Sequence, residues 1–216
     1  MNTRNGNRTG RRLIGLLLLA ASVTAFDVMA QAPSPEVLVR NTTEEVLTIV
    51  RNDKDIQSGD HRKAIALVDA KVLPHFNFAH MTQLAMARDW RQATPEQQKT
   101  LTDEFRTLLV RTYSKALTEY KNQTIDYRPF KMQPADTDVK VRTDIKQPGG
   151  KPIQLDYYLE KQPQGWKVYD IEVGGISLIT NYREFFASEA RKGGIDGVIK
   201  SLQAKNKSGE ATSVKK

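Results

Sequence analysis

Apolar residues recur every three to four positions over the first half of the chain beyond residue 36, which is the period of an α-helix. Gly59-Asp60 and Pro74 interrupt this spacing, because glycine and proline both disfavour a continuing helix. The pattern predicts a first helix that starts at Ser34 or Pro35 and a second that ends before Pro74. It also predicts a third helix that begins near Phe76.

The strongest helical pattern follows these three segments. Thr94 precedes Pro95, and Gln97 stands where a capping box needs its second side chain. From Leu101 the apolar residues recur at steps of three and four as far as Tyr120. The sequence therefore predicts one amphipathic helix of five to six turns that ends near Tyr120.

The period then changes to two, which is the alternation of half-buried β-strands. Residues 138–146 and 153–160 alternate cleanly, and short Pro- and Gly-containing turns separate them from each other and from residues 166–173. Short connections of this kind predict an antiparallel meander, with residues 125–130 as a preceding strand. Alternation is lost near Tyr169, which indicates either a strand covered on both faces or a β-bulge.

Helical spacing returns from Ile176 to Lys192, and Gly193-Gly194 ends it before a last short helix at residues 195–205. The order of elements is helices, then a meander, then helices. This order predicts an α+β fold, with a helical layer packed on a twisted antiparallel sheet of about four strands.

The first thirty residues have the composition of an export signal. A basic segment is followed by about 13 apolar residues and by the small residues of Val28-Met29-Ala30, which favours cleavage after Ala30. The alternative is a membrane anchor, but 13 helical residues rise only about 20 Å, less than a bilayer core requires. We expect a cleaved signal peptide at residues 1–30, one domain at residues 31–205 and a protein exported to the periplasm.

Composition excludes several classes of function. The chain has no cysteine, so disulfides, thiol catalysis and a lipid-modified cysteine anchor are all excluded. The formal net charge is +8, but much of the basic excess lies in the signal segment and in residues 206–216, a polar tail that we expect to be disordered. No basic stripe interleaved with aromatic residues is visible, so nucleic acid is not an expected partner.

Evidence for catalysis in the sequence is weak. His75 and His80 are five residues apart, which on a helix does not place them on one face, and His61 stands in a polar segment. Asp156 falls among the polar positions of its strand and is expected to be solvated. Asp170 shares a phase with apolar residues, so we expect it to be buried and to make a structural hydrogen bond.

Three ordered segments of the chain resemble one known family. They are the segment Leu73–Leu117 with its Ala93-Thr94-Pro95-Glu96-Gln97-Gln98 run, the segment Trp166–Arg183 with Gly175-Ile176-Ser177-Leu178, and Gly194-Ile195-Asp196-Gly197-Val198-Ile199. Together they resemble the MlaC family of periplasmic phospholipid shuttles, also called toluene-tolerance proteins. The family usually carries a glutamate where this chain has Gly174, which puts in doubt any hydrogen bond that this glutamate makes.

The resemblance implies a deep apolar cleft between the helical layer and the sheet, in which acyl chains lie. It implies phospholipid as cargo, no cofactor, no catalytic residue and no metal, and a monomer that helps to maintain outer-membrane lipid asymmetry. The implied partners are an inner-membrane ABC transporter complex with an MCE-type ring and an outer-membrane lipoprotein–porin complex.

Apolar residues on the long helix, on the meander and in the segments beside them are the predicted lipid-binding residues. They are Phe76, Phe78, Met81, Phe105, Leu108, Leu109, Tyr113, Val141, Tyr157, Leu159, Trp166, Val168, Ile176, Tyr182 and Phe185. The alternative is that these side chains pack on one another as an ordinary core.

Two other functions are compatible with the sequence. One is a small-molecule isomerase on a cone-shaped α+β fold, with Asp170 and Tyr169 as its reactive groups. The other is a periplasmic adaptor that joins membrane complexes without carrying lipid. Phospholipid that co-purifies with the protein distinguishes the carrier from both alternatives.

Overall fold

The computed structural model describes residues 32–208. The predicted signal peptide at residues 1–30 and the predicted tail beyond residue 208 lie outside the described residues. Between residues 32 and 208, no helix is both long enough and apolar enough to cross a membrane.

Helices precede and follow an antiparallel sheet, as the change of period predicted. The helices are α1 (Pro35–Asn52), α2 (Lys54–Gln57), α3 (His61–Lys71), α4 (Phe78–Met86), α5 (Pro95–Tyr113), α6 (Lys115–Thr118) and α7 (Leu178–Ser208). The strands are β1 (Thr124–Tyr127), β2 (Asp138–Lys146), β3 (Ile153–Gln162), β4 (Gly165–Val173) and β5 (Ile176–Ser177). The α+β prediction is confirmed.

The ends of helices α1 and α5 differ from the prediction. Helix α1 begins after the cap Ser34, as expected, but it ends at Asn52 instead of at Gly59-Asp60. The Asp53 side chain accepts hydrogen bonds from the backbone N–H groups of the next turn and so starts α2 as a separate helix. Helix α5 has the predicted capping box, but it ends at Tyr113, and residues up to 118 form the separate turn α6.

The sheet is an open meander in which each strand pairs with the next in the order β1-β2-β3-β4-β5. It therefore has five strands where the sequence predicted about four. Residue Ile176 lies in β5 and pairs with Val173, so α7 begins two residues later than predicted. In β4 the register shifts opposite Tyr158 and Leu159, which leaves Tyr169 as the extra residue of a β-bulge.

Helix α7 consists of two helices joined at Gly193-Gly194. Gly194 has φ 63° and ψ −160°, a conformation that is almost restricted to glycine, so the predicted break is confirmed. The second part continues to Ser208, because the buried Asn206 donates hydrogen bonds to the backbone and carboxylate oxygens of Glu104. Residues 206–208 are therefore helical, and the predicted start of the disordered tail at residue 206 is wrong.

Buried side chains form three groups. The helical cluster joins α4, α5 and α7 around Phe105, whose ring meets those of Tyr182 and Phe186 edge-to-face with centroids 5.0 Å apart. The sheet cluster joins the start of α1 to strands β2, β3 and β4. A third cluster joins α1, α2 and α3. The sheet cluster lies on the face of the sheet that carries the candidate site.

Candidate functional site

The strand register divides the side chains of the sheet between two faces. Residues that pair directly across strands point to the same side. Val141 pairs with Tyr157, which pairs with Ile171, and this row lies on the face that packs against α1. We call this side the inner face. The neighbouring row, Arg142 with Asp156 and then Glu172, lies on the opposite outer face.

One half of the inner face is buried. Val139, Leu159 and Val168 form a row across β2, β3 and β4, and Trp166 follows in the next row, opposite Lys161. Leu38 and Val39 of α1 pack over these residues. Burial of large aliphatic and aromatic side chains against a helix is the usual way in which a sheet is stabilised. This half therefore serves mainly as core.

The other half of the inner face is apolar but belongs to none of the three clusters. We call it the open face, and it consists of Ile125, Ile145, Ile153, Leu155, Val173 and Ile176. Val173 and Ile176 expose 37% and 43% of their surface, and Ile153 exposes 38%. An apolar strip that continues from a core out to solvent is the feature of this sheet that fits an apolar ligand.

Hydroxyl groups line the boundary between α1 and the open face. Thr43 of α1 lies beside the phenols of Tyr127 and Tyr157 and opposes the rise in pKa that burial produces in both. Burial raises the pKa of Tyr157 to about 12, and Thr143, fully buried on the inner face, partly offsets this effect. Arg40 stacks on the Tyr127 ring with its guanidinium carbon 3.9 Å from the centroid. The candidate site thus consists of the apolar side chains of the open face, bordered on the side of α1 by hydroxyl groups.

Phe76 connects the sheet to the helical layer. It packs against both the sheet cluster and the helical cluster, and it forms a parallel bridge with Val168 through the backbone. Its ring stacks on Phe78, with centroids 5.6 Å apart. Phe78 in turn lines a surface cavity of about 280 Å³, together with Leu73, Pro74 and the Asp69–Arg106 ion pair.

The predicted lipid-binding residues lie in two places. Five of them, Val141, Tyr157, Leu159, Trp166 and Val168, lie on the inner face, and Ile176 lies at its open end. The remaining residues belong to the helical cluster or pack against it; they are Phe76, Phe78, Met81, Phe105, Leu108, Leu109, Tyr113, Tyr182 and Phe185. Their contact with a ligand remains a prediction.

Seven aliphatic residues of the inner face were missing from that prediction. They share the inner face with the predicted strand residues and are Ile125, Val139, Ile145, Ile153, Leu155, Ile171 and Val173. The signal was present for Ile153 and Leu155, which alternate in phase with Tyr157. Ile171 and Val173 follow the bulge at Tyr169. Beyond that bulge, the alternation of apolar and polar residues no longer predicts on which face of the sheet a side chain lies.

The outer face carries a charged cluster that the sequence did not predict. Asp156, expected to be solvated, is fully buried, because side chains of three strands cover it. Lys140 Nζ lies 2.8 Å from Asp156 Oδ2 and 3.5 Å from Glu172 Oε2, and the Tyr158 hydroxyl donates to Glu172 over 2.6 Å. Hydrogen bonds to Asp156 and Tyr158 raise the pKa of Lys140. The cluster is a network of paired charges.

Asp170 lies at the junction of the sheet and α7. Because the bulge shifts the register, its side chain is on the outer face and half-buried, where the sequence predicted an apolar surrounding. Its carboxylate accepts hydrogen bonds from the Ser177 hydroxyl at 2.6 Å, from Ile179 N–H at 3.2 Å and from Ile171 N–H. Burial raises the pKa of Asp170, and these donors oppose the rise. The predicted structural hydrogen bond is confirmed, and it is made at the start of α7.

The three histidines lie in separate environments. His61 Nε2 is 3.1 Å from the hydroxyl oxygen of the buried Ser114. His80 Nδ1 is 2.9 Å from Glu160 Oε2, and its ring stacks on Tyr169. Burial, with a smaller effect from Lys167, lowers the pKa of His75. Among residues 32–208, no three acidic, histidine or cysteine side chains are grouped so that they could hold a metal ion.

The β4–β5 turn explains the glycine at position 174. Gly174 has φ 58°, in the left-handed region, and its N–H donates to the Gln154 carbonyl over 2.9 Å. A side chain at this φ would strain the backbone, whereas glycine adopts it freely. This backbone hydrogen bond ties the start of the turn to β3.

Comparison with known proteins agrees with this architecture over most of the chain. A family model described as MlaC protein matches residues 40–204. The toluene tolerance protein ttg2D of Pseudomonas putida is 30% identical over 211 residues, which cover 92% of this chain and 96% of the relative. The intermembrane phospholipid transport system binding protein MlaC of Haemophilus influenzae is 26% identical over 192 residues, 86% of this chain and 90% of that protein.

A solved structure is similar over the same region. It is that of a phospholipid-binding protein from Ralstonia solanacearum in complex with a phospholipid, with a TM-score of 0.77 and 40% sequence identity. The similarity covers 82% of this chain and 99% of that protein. The chain therefore belongs to the MlaC protein family.

Proposed function

We propose that this protein binds a phospholipid and carries it between membranes, with the acyl chains lying along the inner face of the sheet. The observation that carries this proposal is the open face, where six apolar side chains belong to no core cluster. The 40% identical relative from Ralstonia solanacearum, whose structure includes a phospholipid, supports the same ligand class.

Transfer energies explain why a lipid needs such a surface. Two 16-carbon acyl chains contain about 30 methylene groups, and their gross transfer from water to an apolar site is worth about 25 kcal/mol. A phospholipid molecule therefore passes from a membrane into water very slowly. The apolar strip from Ile171 through Val173 to Ile176 offers acyl chains a continuous contact surface, and the Thr43, Tyr127 and Tyr157 hydroxyls lie beside it.

The cellular role that we propose is that of a periplasmic shuttle. The predicted signal peptide supports export, and the name of the Haemophilus influenzae relative supports intermembrane phospholipid transport. In this role the protein exchanges lipid with an inner-membrane ABC transporter complex that carries an MCE-type ring. It also exchanges lipid with an outer-membrane lipoprotein–porin complex, and so maintains the lipid asymmetry of the outer membrane.

The proposed role is not enzymatic. Asp170, the carboxylate considered for acid–base chemistry, is occupied by the Ser177 hydroxyl and by two backbone N–H groups. Such a carboxylate fixes the start of α7 and has no acceptor capacity directed toward the open face. The names of the relatives, as binding and transport proteins, support the same conclusion.

The test is the lipid content of freshly purified protein. We expect mass spectrometry of an organic extract to detect a stoichiometric amount of phospholipid. Leu155→Arg should lower that amount at least about tenfold, because it places a charge where we propose that an acyl chain lies, and each 1.4 kcal/mol of lost affinity is tenfold. Leu155 is half-buried and outside the core clusters, so the variant should fold.

Met132→Arg is the matched control. Met132 is an exposed aliphatic side chain, at 37%, outside the sheet, and the same substitution there should leave the lipid content unchanged. Absence of phospholipid from the unaltered protein would overturn the proposed function. Unchanged lipid in a folded Leu155→Arg variant would instead overturn the position of the site.

A further inference from the structure

We infer that the end of the sheet that carries the open face docks directly on the surface of an anionic phospholipid bilayer. The inference concerns a contact of the protein body with a membrane, made by the exposed end of the same open face on which we propose that acyl chains lie. It stands on the placement of exposed aliphatic side chains and unpaired lysines at one end of the fold.

The aliphatic side chains form two rows across the strands. Ile125, Ile145 and Ile153 pair in succession on β1, β2 and β3, so their side chains are neighbours on the inner face. The next row continues from Leu155 through Val173 and Ile176 to β5. Ile153, Val173 and Ile176 are three of the five large hydrophobic residues that the described part of the chain exposes by more than a third.

Lysines surround these rows. Lys146 is the last residue of β2 and pairs with Thr124, the first residue of β1; Lys121 precedes β1 by three residues, and Lys151 lies in the turn between β2 and β3. Lys146 forms an ion pair with Asp126. Lys121 and Lys151 are exposed, and no carboxylate of residues 32–208 lies within 4.0 Å of either ammonium group. This end of the sheet thus has an excess of positive charge.

Shape also favours a flat partner at this end. The β2–β3 turn contains Gly149-Gly150, and the β4–β5 turn contains Gly174-Gly175. Glycine has no side chain, so neither pair keeps a flat partner surface away from the backbone of its turn. Gly149, Gly174 and Gly175 have positive φ, so these turns also favour glycine for conformational reasons.

The residue types favour a membrane over a protein partner. Protein interfaces are enriched in Trp, Tyr and Arg and depleted in Lys, whereas this patch consists of Ile, Val, Leu and Lys. Lysines near a membrane are attracted to its anionic lipids, and each contributes roughly fivefold to binding. Aliphatic side chains between such lysines enter the headgroup region. An anionic bilayer therefore matches the patch in both charge and apolarity.

The experiment measures co-sedimentation of the purified protein with phosphatidylcholine vesicles that contain or lack phosphatidylglycerol. We expect binding to the vesicles that contain phosphatidylglycerol and a decrease of binding with added salt. The double variant Lys121→Glu/Lys151→Glu should bind them at least about tenfold less. Ile153→Ser should also reduce binding, since it removes an exposed aliphatic side chain from the patch.

The matched control is Lys54→Glu/Lys200→Glu, which reverses two exposed lysines that lie on α2 and α7 and form no ion pair in the described chain. It should stay within about twofold of the unaltered protein. Equal binding of the two double variants, or no binding of the unaltered protein to phosphatidylglycerol vesicles, would overturn the inference and assign the patch to a protein partner. Co-purified phospholipid, measured on the same samples, tests lipid carriage separately and should not change in Lys121→Glu/Lys151→Glu.

Discussion

Replacing Lys140 by methionine tests whether the buried Asp156 depends on a single counter-ion. The Asp156 side chain is 1% exposed, and Lys140 Nζ lies 2.8 Å from its Oδ2 atom. Gln154 Nε2 donates to the same oxygen over 3.0 Å, and Oδ1 has no hydrogen-bond partner among residues 32–208. Lys140→Met keeps the length of the aliphatic stem and removes the positive charge.

The expected cost follows from the distance and the burial. Two unit charges 2.8 Å apart attract each other by roughly 6 kcal/mol at an effective dielectric constant of 20. Removing one partner of a buried pair typically costs about 3–5 kcal/mol. Lys140 is 28% exposed, so water screens part of the attraction, and we take the lower end, about 3 kcal/mol. A chain of this size should then melt about 6–12 °C lower.

Thermal and urea unfolding, followed by circular dichroism, measure this difference. In a double-mutant cycle, adding Asp156→Asn to Lys140→Met should recover part of the stability, since no buried charge is left unpaired.

Lys161→Met is the control, since Lys161 is an exposed strand residue without a carboxylate partner in the described chain. It should change the unfolding free energy by no more than about 0.5 kcal/mol. A loss below about 1 kcal/mol in Lys140→Met would show that Asp156 does not rely on Lys140 and would refute the reasoning.

Three further predictions concern stability. Phe105→Ala should lower the unfolding free energy by about 4 kcal/mol in urea titrations, because it empties the centre of the helical cluster; a loss below about 2 kcal/mol would contradict that position. Asp170→Ala should cost about 1–2 kcal/mol, as the start of α7 loses its acceptor, while phospholipid content stays unchanged; lost lipid at retained fold would point to a direct role in binding. Because burial holds the pKa of His75 below its unfolded value, its contribution to stability is present above that unfolded value and is lost as the pH falls through the folded one. The His75→Gln variant should therefore lose less stability than the unaltered protein between pH 7 and pH 5, and an equal loss would exclude His75 as a source of the pH dependence.

Local patterns in the sequence predicted most of the elements. The Thr94 capping box, the helical spacing after it and the alternation in β2 and β3 depend on residues close together in the chain, so each could be recognised there. The glycine break in α7 is equally local. Elements too short to show a period were missed, namely α2 and the two-residue strand β5, where Ile176 was assigned to a helix.

Burial on the sheet was decided by contacts between distant segments. Alternation correctly placed Asp156 on the polar side of β3, but its burial depends on Lys140 from β2 and Glu172 from β4. The face of Asp170 depends on the bulge at Tyr169, which exists only in the pairing of β3 with β4. One extra residue reverses the side of every residue that follows it, so strand period alone could not place Ile171 or Val173.

The candidate site has the same origin. The residue types of the site could be predicted from the strands, because apolar residues at every second position indicate an inner face. This pattern is the same whether or not helices cover that face. Which half stays open depends on the path of α1, whose Leu38 and Val39 cover the row of Val139 and Leu159 and leave Leu155 half-exposed. Core and binding surface use the same apolar side chains, and only the tertiary packing of a helix from the other end of the chain distinguishes them.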